Sequence, residues 1–118
     1  MWLCLNNAFL SIVKKDCPPG SLLVRARRPG DIERVFGTKV EVTRSTDSDY
    51  LLRSIVPIEE VELALARVVK EISYKNFKDS VKDHELHHAY LKTWSAMSEL
   101  QHPKPYSTAF TAAAREGR

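Results

Sequence analysis

The spacing of apolar residues changes near the middle of this chain, dividing it into a strand-forming half and a helix-forming half. Trp2–Leu5 and Ala8–Val13 are apolar runs separated by Asn6 and Asn7. Asn tolerates positive φ, so the pair reads as a two-residue hairpin turn. Neither run alternates with polar residues, which fits a strand that is central or covered on both faces. Lys14–Ser21 contains Pro18, Pro19 and Gly20 and reads as a loop. Leu22–Arg27 has period two, with Leu22, Val24 and Ala26 on one face and Leu23, Arg25 and Arg27 on the other. Pro29-Gly30 breaks that strand. Asp31 then reads as the N-cap of a short helix with Ile32, Val35 and Phe36 on its apolar side and Gly37 at its end. Lys39–Arg44 and Tyr50–Val56 flank the polar stretch Ser45–Asp49 and predict an antiparallel pair in which Glu41 meets Arg53.

From Pro57 the period is helical. Pro suits the first position of a helix, and Ile58, Val61, Leu65, Val68, Val69 and Ile72 fall within about 100° on a 3.6-residue wheel. Ser73–Asp79 is a connection in which Tyr74 and Phe77 are expected to wedge between helices. Ser80 with Asp83 reads as a capping box for a last helix reaching Gln101, which His102-Pro103 stops. Its expected buried side is Leu86, Ala89, Tyr90, Thr93, Met97 and Leu100, with Trp94 at the edge. The sequence thus predicts an α+β domain over residues 1–101. It comprises a mostly antiparallel sheet of about five strands, a short helix, and two longer C-terminal helices packed on one face. Residues 102–118 are expected to form a flexible C-terminal tail.

Composition adds bounds. A chain of 118 residues, 43% apolar and 28% charged, is one ordinary globular domain by size. The net charge of +3 is mild for a protein that coats nucleic acid. It is unevenly placed: residues 14–53 hold nine Lys and Arg against six Asp and Glu, while residues 54–101 hold six against eight. Cys4 and Cys17 are too few for a disulfide framework and read as free thiols. The apolar start lacks a basic segment and a small-residue cleavage site, and no run reaches membrane-spanning length. The expectation is a cytoplasmic protein without membrane partners.

One string carries a chemical suggestion. His84-Glu85-Leu86-His87-His88 matches H-E-x-x-H. On a helix, His84 and His88 would share a side and could hold one zinc ion, with Glu85 as general base on its water. The wheel turns both histidines roughly 140–180° away from the apolar face, at about 100° per residue. Downstream, only Glu99, His102 and Glu116 could complete a ligand set. Ser11-Ile12-Val13-Lys14 spells S-x-x-K, but in a strand those two side chains face opposite ways. Nothing positions Cys17 against a histidine as a nucleophile, and the glycines form no phosphate loop. The reading is therefore no catalytic residue and no cofactor, with a zinc hydrolase of His84, His88 and Glu85 as the alternative.

The other feature is basic. Arg25, Arg27 and Arg28 lie together in sequence, with Lys39 and Arg44 on the following elements. Arginine suits oxyanions because its planar fork gives paired hydrogen bonds. Such charges also keep a sheet edge solvated, and no interleaved aromatic platform accompanies them.

Three segments carry a resemblance: Met1–Asn6 with Phe9–Val13, Leu23–Glu33, and Asn76–Val81. Over residues 1–101 the chain resembles a family of small uncharacterised bacterial and phage or mobile-element proteins. The resemblance carries no assigned activity and no site residues. It implies a setting in which such proteins bind and block or adjust a host system, as anti-CRISPR-like inhibitors do. The leading expectation is a non-catalytic binding or regulatory protein, an inhibitor of a host nucleoprotein system, that meets a protein or nucleoprotein partner through Arg25, Arg27, Arg28, Lys39 and Arg44. A nucleic-acid-binding accessory protein is a further alternative, and mixed surface charge also suits a homodimer.

Overall fold

The structure is a computed structural model that describes residues 1–105. The elements follow as β1 (Trp2–Cys4), β2 (Phe9–Val13), β3 (Ser21–Ala26), α1 (Asp31–Phe36), β4 (Thr43–Arg44), β5 (Leu52–Pro57), α2 (Ile58–Lys70), α3 (Phe77–Ser80) and α4 (His84–Ser98). All strand pairings are antiparallel, in the order β1-β2-β3-β5-β4. This is the α+β class that the spacing predicts. The chain forms two compact units, Met1–Lys82 and the segment from Asp83 onward. Residues 106–118, most of the expected tail, lie outside the described residues.

The sheet register sorts side chains onto two faces. Leu10, Ile12, Val24, Ala26, Leu52 and Val56 share one face, and Ile32 and Val35 of α1 with Val61 and Ala64 of α2 complete a single apolar cluster. Ile32 and Val35 are 1% and 2% exposed. Burying each contributes about 1.5–3 kcal/mol, enough to hold a helix too short to persist alone. The opposite face carries Ser11, Leu23, Arg25, Arg53 and Ile55, by register with Thr43 on β4. Ser11 and Leu23 on this second face are also buried.

Several local expectations change. The β1–β2 hairpin forms, and Leu5 N–H donates to Ala8 O at 2.9 Å across Asn6 and Asn7. Yet among the described residues Asp16 is the one non-glycine residue with positive φ, so neither Asn uses the left-handed region. Asp31 is not the N-cap of α1. Gly30 holds that place with φ of 92°, and Asp31 is the first helical residue. A side chain at Gly30 would be strained by that φ, and its Cβ would sit 3.2 Å from the Arg34 guanidinium. Asp31 instead turns inward at 1% exposure. Its Oδ2 accepts from Phe9 N–H at 3.1 Å, and its Oδ1 accepts from Arg34 Nη1 at 2.7 Å. A carboxylate paired twice in this way can be buried, where a lone one could not.

β4 is shorter than expected, and Thr43 rather than Glu41 stands opposite Arg53. Polar bonds in the connection set that register. Ser45 N–H donates to Leu51 O, and Ser48 Oγ donates to Ser45 O and Tyr50 O. Tyr50 is thereby taken out of the strand and buried at 3% exposure. In α2 the buried residues are Val61 and Ala64, whereas Val69, and Ile72 just past the helix end, are 65% and 51% exposed.

α4 begins later than the Ser80–Asp83 spacing predicts. Ser80 ends α3, its Oγ donating to Phe77 O at 2.5 Å. Asp83 caps α4 instead, its Oδ1 accepting from Leu86 N–H at 2.9 Å. Of the expected buried side, Leu86 and Tyr90 are buried, while Met97 and Leu100 are 58% and 73% exposed. Tyr74 and Phe77 meet edge to face with ring centroids 5.7 Å apart.

Candidate functional site: an arginine cluster at one end of the sheet

Strand register gathers arginines that are far apart in sequence. Arg25 of β3 is the direct cross-strand partner of Arg53 of β5, which in turn faces Thr43 of β4. In the next row Ala26 faces Leu52, which faces Arg44. Arg27 follows directly on Ala26, so Arg25, Arg27, Arg44 and Arg53 all belong to one end of the sheet. Of these, Arg53 was expected to be neutralised by Glu41. The two-residue shift of register removes that pairing and makes Arg53 part of the cluster. Its signal in the sequence was the strand alternation Leu52-Arg53-Ser54-Ile55-Val56, which places it on the Arg25 face.

Tyr50 organises the cluster. Its ring centroid lies 4.5 Å from the Arg25 guanidinium carbon and 4.1 Å from that of Arg27. Such cation–π contacts stabilise by about 0.5–2 kcal/mol each, more as water is excluded. Arg25 Nη2 also donates to Ser11 Oγ at 2.9 Å. Arg27 Nη1 donates to Asp49 O at 3.1 Å and to Asp49 Oδ1 at 3.3 Å. With side chains 51% and 75% exposed, that ion pair adds little stability.

Arg25 and Arg53 are treated differently by the fold. Among the described residues no carboxylate lies within ion-pairing distance of either, and the buried Nε of each lacks a hydrogen-bond acceptor. Two like charges on cross-strand partners repel. The cost falls off with the distance between the guanidinium groups and is reduced where solvent screens it. The Tyr50 ring and the Ser11 hydroxyl offset part of this for Arg25. Arg53 borders a cleft of about 260 Å³ with Leu23 and Ile55 on its apolar side and Thr43, Asp16 and Glu41 on its polar side.

The remaining basic residues are placed otherwise. Arg28 Nε lies 4.0 Å from Asp31 Oδ2. Lys39 is exposed in the connection between α1 and β4, outside any strand. A second cleft of about 130 Å³ is bordered by Asn6, Asn7, Arg34, Arg67, Glu71 and Tyr74. Its arginines are already engaged, Arg34 with Asp31 and Arg67 with Val35 O.

His84, Glu85 and His88 are exposed on α4, and His87 is half-buried. Among the described residues no three His, Cys, Asp or Glu side chains come together as a metal-ligand group. Ser11 and Lys14 have no shared geometry, since Ser11 is bonded to Arg25 and Lys14 lies exposed beyond β2. Cys17 Sγ donates to Ser21 O at 3.4 Å. Partial burial pushes the Cys4 thiol up, which leaves less thiolate at neutral pH. Among the described residues no helix is long and apolar enough to cross a membrane. No family model, curated protein or solved structure matches the chain.

Proposed function

We propose that this chain is a non-catalytic binding protein that docks a partner through the arginine-bearing end of its sheet. The observation that carries the reading is the cross-strand pair Arg25–Arg53, neither of which has a carboxylate within ion-pairing distance among the described residues. A protein that spends stability on such a pair gains it back when an acidic surface arrives. Arg27 and Arg44, both exposed, extend the same end. In the setting that the resemblance implies, the partner belongs to a host nucleoprotein system in the cytoplasm, and the protein acts there as an inhibitor.

The test is affinity capture from the native cell with the wild-type chain and with Arg27→Glu/Arg44→Glu. Both side chains are exposed, so charge reversal leaves the core intact. Loss of the captured partner, with an unchanged circular-dichroism spectrum, is the expected result. Equal recovery by the double variant would show that the contact surface lies elsewhere.

A further inference from the structure

We infer that β1 is a self-pairing edge, along which a second copy of this chain adds its own β1 in antiparallel register, with Trp2 opposite Cys4 of the second copy. The strand order leaves one side of β1 open, because among the described residues its strand neighbour is β2 alone. The hydrogen bonds show which backbone groups face that side. Ile12 N–H donates to Met1 O at 2.8 Å, and Leu5 N–H donates to Ala8 O at 2.9 Å. In an antiparallel ladder bonded and non-bonded pairs alternate. Met1–Ile12, Leu3–Leu10 and Leu5–Ala8 are therefore the bonded pairs, and Trp2–Ser11 and Cys4–Phe9 the non-bonded ones. Phe9 N–H agrees with this phase, since it turns away from β1 to donate to Asp31 Oδ2. The N–H and C=O of Trp2 and of Cys4 thus point away from β2, in two residues that are both exposed. Among the described residues no backbone bond engages them.

The side chains along this edge complement a second copy of themselves. Edge strands are commonly guarded by a charge or a proline. Met1–Asn7 contains neither a charged side chain nor a proline, whereas the opposite edge, β4, carries the exposed Arg44. On the core face Leu3 stands beside Leu10, and a two-fold axis at Leu3 extends that row into Leu3 and Leu10 of the second copy. On the other face Trp2, 72% exposed, meets Phe9 edge to face with ring centroids 6.2 Å apart. The pairing sets Trp2 against Cys4 of the second copy, with the second Phe9 next in the row. Every contact is apolar and no like charges meet. Such an isologous contact closes at two copies, whereas adding β1 to β4 head to tail would grow without closing and would set Arg44 in the seam. Two Trp2–Cys4 pairs, each exchanging two bonds, supply four, against about ten in a standard interface. The dimer therefore dissociates on dilution.

The experiment is sedimentation velocity over a hundredfold range of concentration, with reductant present and amide hydrogen exchange measured at both ends of the range. The wild-type chain is expected to pass from monomer to dimer. Over the same range the Trp2 and Cys4 amides are expected to gain protection, while those of Leu3 and Leu5 stay unchanged. Cys4→Pro deletes an outward donor without touching a bond to β2, and should abolish the dimer. Cys4→Val keeps that donor and should retain it. If Cys4→Pro does not fold, the exchange pattern of the wild-type chain still decides. A single monomeric species up to about 1 mM, a dimer that persists in Cys4→Pro, or a dimer whose Trp2 and Cys4 amides exchange freely would overturn the inference. A monomer in which those two amides gain protection only on addition of a partner captured from the cell would assign the edge to that partner, and would equally overturn self-pairing. The arginine cluster plays no part in this seam, so either proposal can fail alone.

Discussion

Asp31 should be the costliest single polar side chain to remove from the larger unit. Asp31→Ala deletes the acceptor for Phe9 N–H and for Arg34 Nη1. Hydrogen bonds to a charged group contribute about 1.5–3 kcal/mol, and an amide left buried without an acceptor costs about 1–3 kcal/mol. The Arg34 pair needs discounting, since its side chain is 47% exposed and water replaces much of the bond. The Phe9 bond therefore dominates, and the expected loss is about 3 kcal/mol. With a urea m-value of about 1.5 kcal/mol/M the unfolding midpoint should fall by about 2 M. Asp31→Asn keeps an acceptor for Phe9 and should lose about half as much. Arg34→Ala should lose under about 1 kcal/mol. Urea unfolding followed by circular dichroism reads all three. An Asp31→Ala loss below about 0.5 kcal/mol would refute the idea that this carboxylate joins α1 to β2. An Asn variant as damaged as the Ala variant would show that charge, not the acceptor for Phe9, is what matters.

Other outcomes follow from the same geometry. Ser54 Oγ is buried on the core face without a partner, so Ser54→Ala should leave stability unchanged or raise it by up to about 1 kcal/mol; a clear loss in thermal denaturation would mean the hydroxyl is satisfied. Asp83→Ala should cost about 1 kcal/mol and speed hydrogen exchange at the Leu86 amide, whereas Ser80→Ala should leave that amide unchanged. Elemental analysis of purified protein is expected to find no stoichiometric zinc. One zinc per chain, lost in His84→Ala, would restore the hydrolase reading.

Much of the fold is legible in local pattern. The uniform apolar runs around Asn6-Asn7, the alternation of Leu22–Arg27 and the apolar stripe of α2 each report an element whose packing agrees with its own sequence. What escapes is set by contacts between distant residues. Asp31 carries the chemistry of a cap, but its placement depends on Phe9, twenty-two residues away, offering an amide. The partner of Arg53 depends on how Ser45, Ser48 and Tyr50 close their connection, and a two-residue change there exchanges Glu41 for Thr43. Tyr50 reads as a strand residue, and nothing local shows that its ring meets Arg25 and Arg27. The end of α4 and the turn after it show the converse error: periodicity marks Met97 and Leu100 as apolar, but only a surface lying against them could make them core.

The strand order has a kinetic corollary. β1, β2 and β3 form a meander of neighbours in sequence, and β4 with β5 forms a hairpin closed by the Ser45–Leu51 bond. Among the described residues β4 has no strand neighbour except β5, so it reaches the sheet as a passenger of that hairpin. The β3–β5 seam therefore joins two locally assembled pieces, and the Arg25–Arg53 repulsion is confined to that joining step. Salt should quicken the docking while leaving each piece's own closure alone, because screening acts on charges that meet only at the seam. In stopped-flow refolding, a main phase that accelerates with sodium chloride in the wild-type chain, and no longer does so in Arg53→Gln, would show that the arginine pair slows assembly of the sheet it later equips for binding.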